Sequence, residues 1–317
     1  MIISIINNLN TYIKYFGILL LIFILYKIDH TLFIKQITGT NLWLLLIVLL
    51  LNFPHLLIKS FRWNLLLRQQ NIEYSLIQSF SIYLSSLYIG FITPGRIGEF
   101  AKVLYLQSDK KIKLSKGFST VLVDRLFDFY LLCSLAFYGA WHYDLIGKFS
   151  SFFLILLGLL LVAPILLFNK RIINKTIQIT FKYIVVKHTK DKIENHFNEF
   201  HIGLMKLINS RLIISGLLTC FGYLIFFLQC NIIIIAIGIS IDFMTITFFM
   251  AIANLISFIP ISISGLGTRD ATLLFLFGLI NIPPEVAISF SFLIFLLFFI
   301  SGGLLGFIAF FRNPLKL

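Results

Sequence analysis

Charged side chains make up only 12% of this 317-residue chain, too few to coat a soluble surface around 59% apolar residues and 36 phenylalanines. That scarcity excludes a water-soluble protein. Cysteine is scarce as well, and Cys133, Cys220 and Cys230 all fall in apolar stretches, which excludes a disulfide framework and leaves them as small packing residues. No nucleotide-binding loop, no pair of histidines four apart around a glutamate and no serine in an elbow-type turn is present. No cofactor or metal is therefore expected. His188, His196 and His201 share one segment without ligand spacing and read as solvated. With no linker, low-complexity tract or short repeat in view, residues 1–317 read as one membrane domain. The N-terminal apolar run has no small-residue cleavage pattern after Tyr26, so it reads as a retained first span.

What the chain does contain is apolar runs of membrane length. Stretches near 15–27, 41–58, 118–141, 150–168, 211–238 and 286–311 are long enough to cross a hydrocarbon core of roughly 30 Å. The expected fold is an all-α polytopic membrane protein with about six transmembrane helices. A net charge of +13 could suggest nucleic acid, but the basic residues are distributed by side. Lys14, three residues in 59–68, five in 102–116, nine in 170–211, Arg312 and Lys316 fall on one side, against Lys27, Lys35 and Lys148 on the other. This asymmetry predicts cytoplasmic termini in a cell (inner or plasma) membrane, with the 170–210 segment also cytoplasmic and no nucleic-acid partner. Ile193, Phe197, Phe200, Leu204 and Leu207 recur at helical spacing among lysines there. They suit either an interfacial helix on anionic lipid or a connector docked on the bundle.

Two further apolar stretches, 75–107 and 244–280, are interrupted by polar, glycine-bearing breaks. The first runs Pro94, Gly95, Arg96, Ile97, Gly98, Glu99, and the second runs from Pro260 through Gly265, Gly267 and Arg269 to Asp270. Unpaired backbone beside charge survives at bilayer depth only when buried in protein or facing a wet cavity. The arms after the breaks, roughly 99–107 and 270–280, extend only about 14 to 17 Å. They predict two oppositely oriented re-entrant hairpins in an inverted-repeat-like arrangement, a mark of transport sites near the bilayer midplane. The arm at 75–93 is long enough to span alone, and two kinked helices that merely pack are the plain alternative. A third cluster, Asp124, Arg125 and Asp128, opens the span at 118–141 with both carboxylates on one helical face. It reads either as solvated at the interface or as facing the cleft, with a carboxylate satisfying Arg96 or Arg269. Pro54 and Pro164 are expected to kink their helices, with His55 reaching the cleft.

The order PGRIGE, a basic loop, DRLFD and, far downstream, SGLGTRD resembles the integral membrane family of lysylphosphatidylglycerol synthase transmembrane regions, also called flippase-like domains. The resemblance covers roughly residues 10–311. It implies a membrane region that moves aminoacylated phospholipid between leaflets, and it carries that role onto Arg96, Glu99, Asp124, Arg125, Asp128, Arg269 and Asp270. No aminoacyltransferase domain follows the last span, so a complete lysyl-lipid synthase is not expected. Physically, Arg96 and Arg269 would fork onto a phosphate, while Gly95, Gly98, Gly265 and Gly267 would let backbone N–H groups approach it. The four carboxylates would take a cationic substituent or hold the arginines between cycles. The expected partner is a membrane phospholipid or lipid-linked substrate, with room left for a homo-oligomer or a separate enzyme. Two alternatives stand beside the transporter. One is an intramembrane lipid-modifying transferase with Asp124, Asp128 or Glu99 as general base, and the other is a scaffold for a soluble enzyme.

Overall fold

A computed structural model describes residues 17–144, 158, 162 and 190–315. The expected span at 150–168, Pro164 and His188 otherwise lie outside the described residues. Among the described residues, eleven α-helices are bounded, in chain order α1 (Gly17–Lys27) and α2 (His30–Thr38), bent by 96° to one another, then α3 (Leu42–Gln69), α4 (Leu76–Phe91), α5 (Ala101–Lys110) and α6 (Leu114–His142). After the interval come α7 (Lys190–Leu207), α8 (Leu212–Ala236), α9 (Phe243–Ser257) and α10 (Thr268–Leu279). A final α11 (Pro284–Arg312) carries a π-helical turn over Phe295–Ile300. Among the described residues α3, α8 and α11 are long and apolar enough to cross a membrane. The chain is an all-α polytopic membrane protein.

Local chemistry sets where these helices begin. Asn41 caps α3 by accepting from Trp43 and Leu44 N–H, Ser75 and Gln78 form a reciprocal box at α4, and Asp242 caps α9. The packing then follows a repeated plan. α3 runs antiparallel to α8, since Asn41 N–H donates to Ala236 O and Asn209, just before α8, donates to Gln69. α4 and its return arm α5 come back to the Gln69 end, where Lys110 lies over Tyr74. From that end α6 crosses to the other, and Tyr143 meets Thr245 beside the start of α9. α9 and α10 turn back toward the end they came from, with Phe249 on Phe277. α11 then closes the bundle at the first end, where Asn313 O accepts from Tyr105. In the second half α9 packs on α6, as α4 packs on α11 in the first. The α4–α5 and α9–α10 pairs thus start from opposite ends of the bundle and each turn back.

One boundary differs from the sequence reading, and two further segments find their places. The helix expected to stop near 58 continues to Gln69, burying Arg62 and Trp63 and partly covering Lys59 along the way. Apolar run length underestimates a helix whose charges are neutralised inside the protein. At the other end, Gly17, the first described residue of α1, packs on Ser262 and Leu266 of the second break. Within the 170–210 segment, α7 docks on α6: Phe200, Leu204 and Leu207 are buried, and Phe200 meets Phe118. The side chain of Ile193 lies outside the described residues.

Glu199 fastens α7 by accepting from Lys113 and from Ser115 Oγ at 3.0 Å. The hydrogen bond from Lys113 comes first in holding its carboxyl below the usual 4.5. A lowered folded value contributes stability that is present above the unfolded value and lost as pH falls through the folded one. Proteolytic cleavage within α7 should therefore rise as pH drops below about 4.5, and Glu199→Gln should flatten that dependence. An unaltered pH profile in the variant would show that this contact does not hold the helix.

Candidate functional site

The two breaks meet. Pro94 and Ile263 form an isolated antiparallel bridge, Gly95 N–H reaches Ser262 O at 3.4 Å, and Ser264 Oγ donates to Phe91 O at 2.7 Å. Where the hairpins join, α3, α6, α8 and α11 enclose a narrow cleft with about 80 Å³ open to water. Its polar lining includes Arg96 and Glu99 from the first break and Arg125 and Asp128 from α6. Asn52, His55 and Lys59 from α3, Tyr83 from α4, Tyr223 from α8, and Asn254 and Ser257 from α9 complete it. Residues far apart in the chain thus share one hollow, because the two breaks meet beside it.

A buried charge cluster forms the wall behind it. Arg62, 1% exposed, donates from Nε to Asp124 Oδ1 at 2.8 Å, from Nη1 to Asp128 Oδ1 at 2.7 Å and to Thr219 at 2.8 Å. Lys102 binds the other Asp124 oxygen at 3.1 Å and lies 4.2 Å from the Tyr83 ring centroid. Lys59 binds Asp128 at 3.3 Å, and Arg125 pairs with Glu99. Asp124 and Asp128 therefore satisfy Arg62, Lys59 and Lys102 rather than Arg96 or Arg269. The mismatch has a specific origin: Lys59 and Arg62 stand three apart on α3, complementary to carboxylates four apart on α6. That pairing was readable only if the charged stretch after residue 58 belonged to the helix.

Arg96 is different. Its guanidinium stacks 4.9 Å from the Phe299 centroid and 5.7 Å from Phe91, its Nε is enclosed without an acceptor, and no carboxylate pairs with it among the described residues. Arg269 stacks on the same Phe299 ring at 5.2 Å, so the two guanidinium carbons are no farther apart than those two distances laid end to end. The π-helical turn of α11 presents this ring to both. Arg269 itself is 1% exposed and held by Ser291 Oγ at 3.1 Å, Ser291 O at 3.2 Å and Asp270 at 3.2 Å. It lies behind the lining with Asp270, whose other oxygen accepts from Gly267 N–H at 2.7 Å and caps α10.

The four glycines serve contacts within the protein. Gly95 N–H is donated to Ser262, Gly98 N–H to Thr93 Oγ1 at 2.8 Å and Gly267 N–H to Asp270. A side chain on Gly98 would meet Ile89 O at 2.4 Å, and one on Gly265 would meet Ser257. His55 reaches the cleft, as expected from its place beside Pro54, and neither ring nitrogen finds a partner. Cys133 and Cys230 are buried and Cys220 exposed, all three unbridged.

A sequence profile described as Lysylphosphatidylglycerol synthase TM region matches residues 5–306. A UPF0104 membrane protein of Methanocaldococcus jannaschii is 24% identical over 290 residues, 87% of this chain and 86% of its own. A second UPF0104 membrane protein of that organism is 26% identical over 240 residues, 73% of this chain and 97% of its own. One from Pyrococcus horikoshii is 22% identical over 320 residues, 94% and 95% of the two chains. No solved structure matches the chain.

Proposed function

The chain belongs to the lysylphosphatidylglycerol synthase TM-region family, and on that premise we propose that it carries a phospholipid or lipid-linked headgroup between leaflets through the polar cleft. The observation that carries this reading is Arg96. A non-glycine residue at φ 55° and ψ 29° costs about 1–2 kcal/mol, and such strain concentrates at functional sites. Here it holds a guanidinium against two aromatic rings, lining a cleft, with no carboxylate to neutralise it. A phosphate would complete its hydrogen bonds and charge. Glu99, Arg125 and Asp128 would exchange partners with the headgroup, while Asp124, Arg269 and Asp270 would hold the surrounding elements in place. Acyl tails would stay in lipid, so only the headgroup crosses in the hollow, which lowers the expense of burying its charge.

By the charge rule, the Gln69 end, with its basic residues, is proposed to face the cytoplasm together with both termini, in a cell membrane whose anionic lipid they would meet. A single membrane unit is proposed to do the work.

In vesicles carrying the purified protein, Arg96→Ala should cut translocation of headgroup-labelled lipid at least about tenfold, the value of one lost charge-assisted bond. Lys206→Ala on α7 should leave the rate alone. Unchanged translocation in Arg96→Ala would remove the basis for the transporter reading. A change in lipid mass, read by mass spectrometry, would instead favour a transferase.

A further inference from the structure

The charge bookkeeping of the cleft and its wall does not balance. Five cations converge there: Lys59, Arg62, Arg96, Lys102 and Arg125. Three carboxylates meet them: Glu99, Asp124 and Asp128. Arg269 and Asp270 pair with one another and leave the count unchanged. Among the described residues, two positive charges remain uncompensated across the cleft, which Phe91, Phe298 and Phe299 line, and the charge cluster behind it. The unused polar groups point the same way, since Arg96 Nε–H and the imidazole of His55, 8% exposed and offering one N–H donor when neutral, are enclosed without partners at this cleft.

Buried charge is expensive unless it is compensated, so the preferred occupant is the one whose charge restores neutrality. A zwitterionic headgroup supplies no net charge, and an aminoacylated one carrying lysine adds to the excess. A phosphodiester such as phosphatidylglycerol brings one negative charge. A phosphomonoester brings about −1.5 to −2 at pH 7, with three acceptor oxygens. We infer that the cleft is built for a lipid phosphomonoester, a dianionic headgroup with its phosphoryl oxygens on Arg96 and His55. The inference rests on the reading of this cleft as a lipid headgroup site and names the chemistry of its substrate.

The test uses the full chain in lipid nanodiscs and in vesicles. Phosphatidate and a prenyl monophosphate share the headgroup but not the tail. They are compared with phosphatidylglycerol, phosphatidylethanolamine, lysylphosphatidylglycerol and inorganic phosphate for thermal protection, and the lipids also for translocation. Both phosphomonoester lipids should bind and cross at least about tenfold better than phosphatidylglycerol. Arg96→Gln, which lowers the excess to one, should erase that preference. Preference for phosphatidylglycerol or a zwitterion in the wild-type protein would overturn the inference and leave transport standing. Protection by phosphomonoester lipids with no lipid crossing would support the headgroup assignment and overturn the transport reading. Protection by inorganic phosphate with nothing further from the lipids would overturn the lipid assignment.

Discussion

Arg62→Met should be the most damaging single substitution in the bundle, lowering stability by about 3–5 kcal/mol. Arg62 bridges both carboxylates of α6 from a site 1% exposed. Without it, Asp124 retains only Lys102, and Asp128 only Lys59. Methionine fills the volume but leaves two carboxylates short of donors inside protein. Arg62→Met with Asp124→Asn should then recover part of the loss, because a positive and a negative charge leave together. Residues in one network couple by about 0.5–3 kcal/mol. Unfolding of the detergent-solubilised protein, followed for both single variants and the double, measures that coupling. A cost for Arg62→Met below about 1 kcal/mol, with no recovery in the double, would mean that α3 and α6 are not joined through this group.

Nearly as large an effect is expected at Gly267, and it can be divided into two parts. Its φ of 79° burdens an L side chain with about 1–3 kcal/mol of strain. A Cβ there would also lie far inside contact distance of Gly17 O, and relieving such overpacking costs about 1–3 kcal/mol more. Gly238, at φ 85° with open space around its Cβ direction, carries the strain alone. Gly278 has open space and no such φ. Alanine at these positions should destabilise in the order Gly267, Gly238, Gly278, and the gap between the first two isolates the close approach of α1 to the second break. Equal losses at Gly267 and Gly238 would show that α1 does not rest on the break.

Much of this architecture could be read from residue order alone. Pro94 to Glu99 and Pro260 to Asp270 announce two interruptions, since polar glycine-bearing stretches inside apolar runs have few other places to go in a membrane. Arg96, Glu99, Arg125 and Asp128 were legible as cleft residues because charge at that depth must pair or meet water. Lys59, Arg62 and Lys102 were not. They read as loop cations, and only the three-dimensional position of Asp124 and Asp128 shows that a helix carries them indoors. The roles of the glycines were equally hidden, because freedom to approach a ligand and freedom to approach a neighbouring helix leave the same residue in the chain. His55 showed a partial signal in its position beside Pro54. The shared ring of Phe299 left none, one phenylalanine among many, positioned by a π-helical turn that hydropathy does not register.

That shared ring ties the hairpins thermodynamically. Arg96 belongs to one break and Arg269 to the other, and each draws attraction from the π-electrons of Phe299. An anion that drew Arg96 from the ring would change the seat of Arg269, and by reciprocity a displacement of Arg269 would alter the hold of Arg96 on that anion by the same factor. A shift in one half of the molecule would then be felt in the other through a single aromatic face.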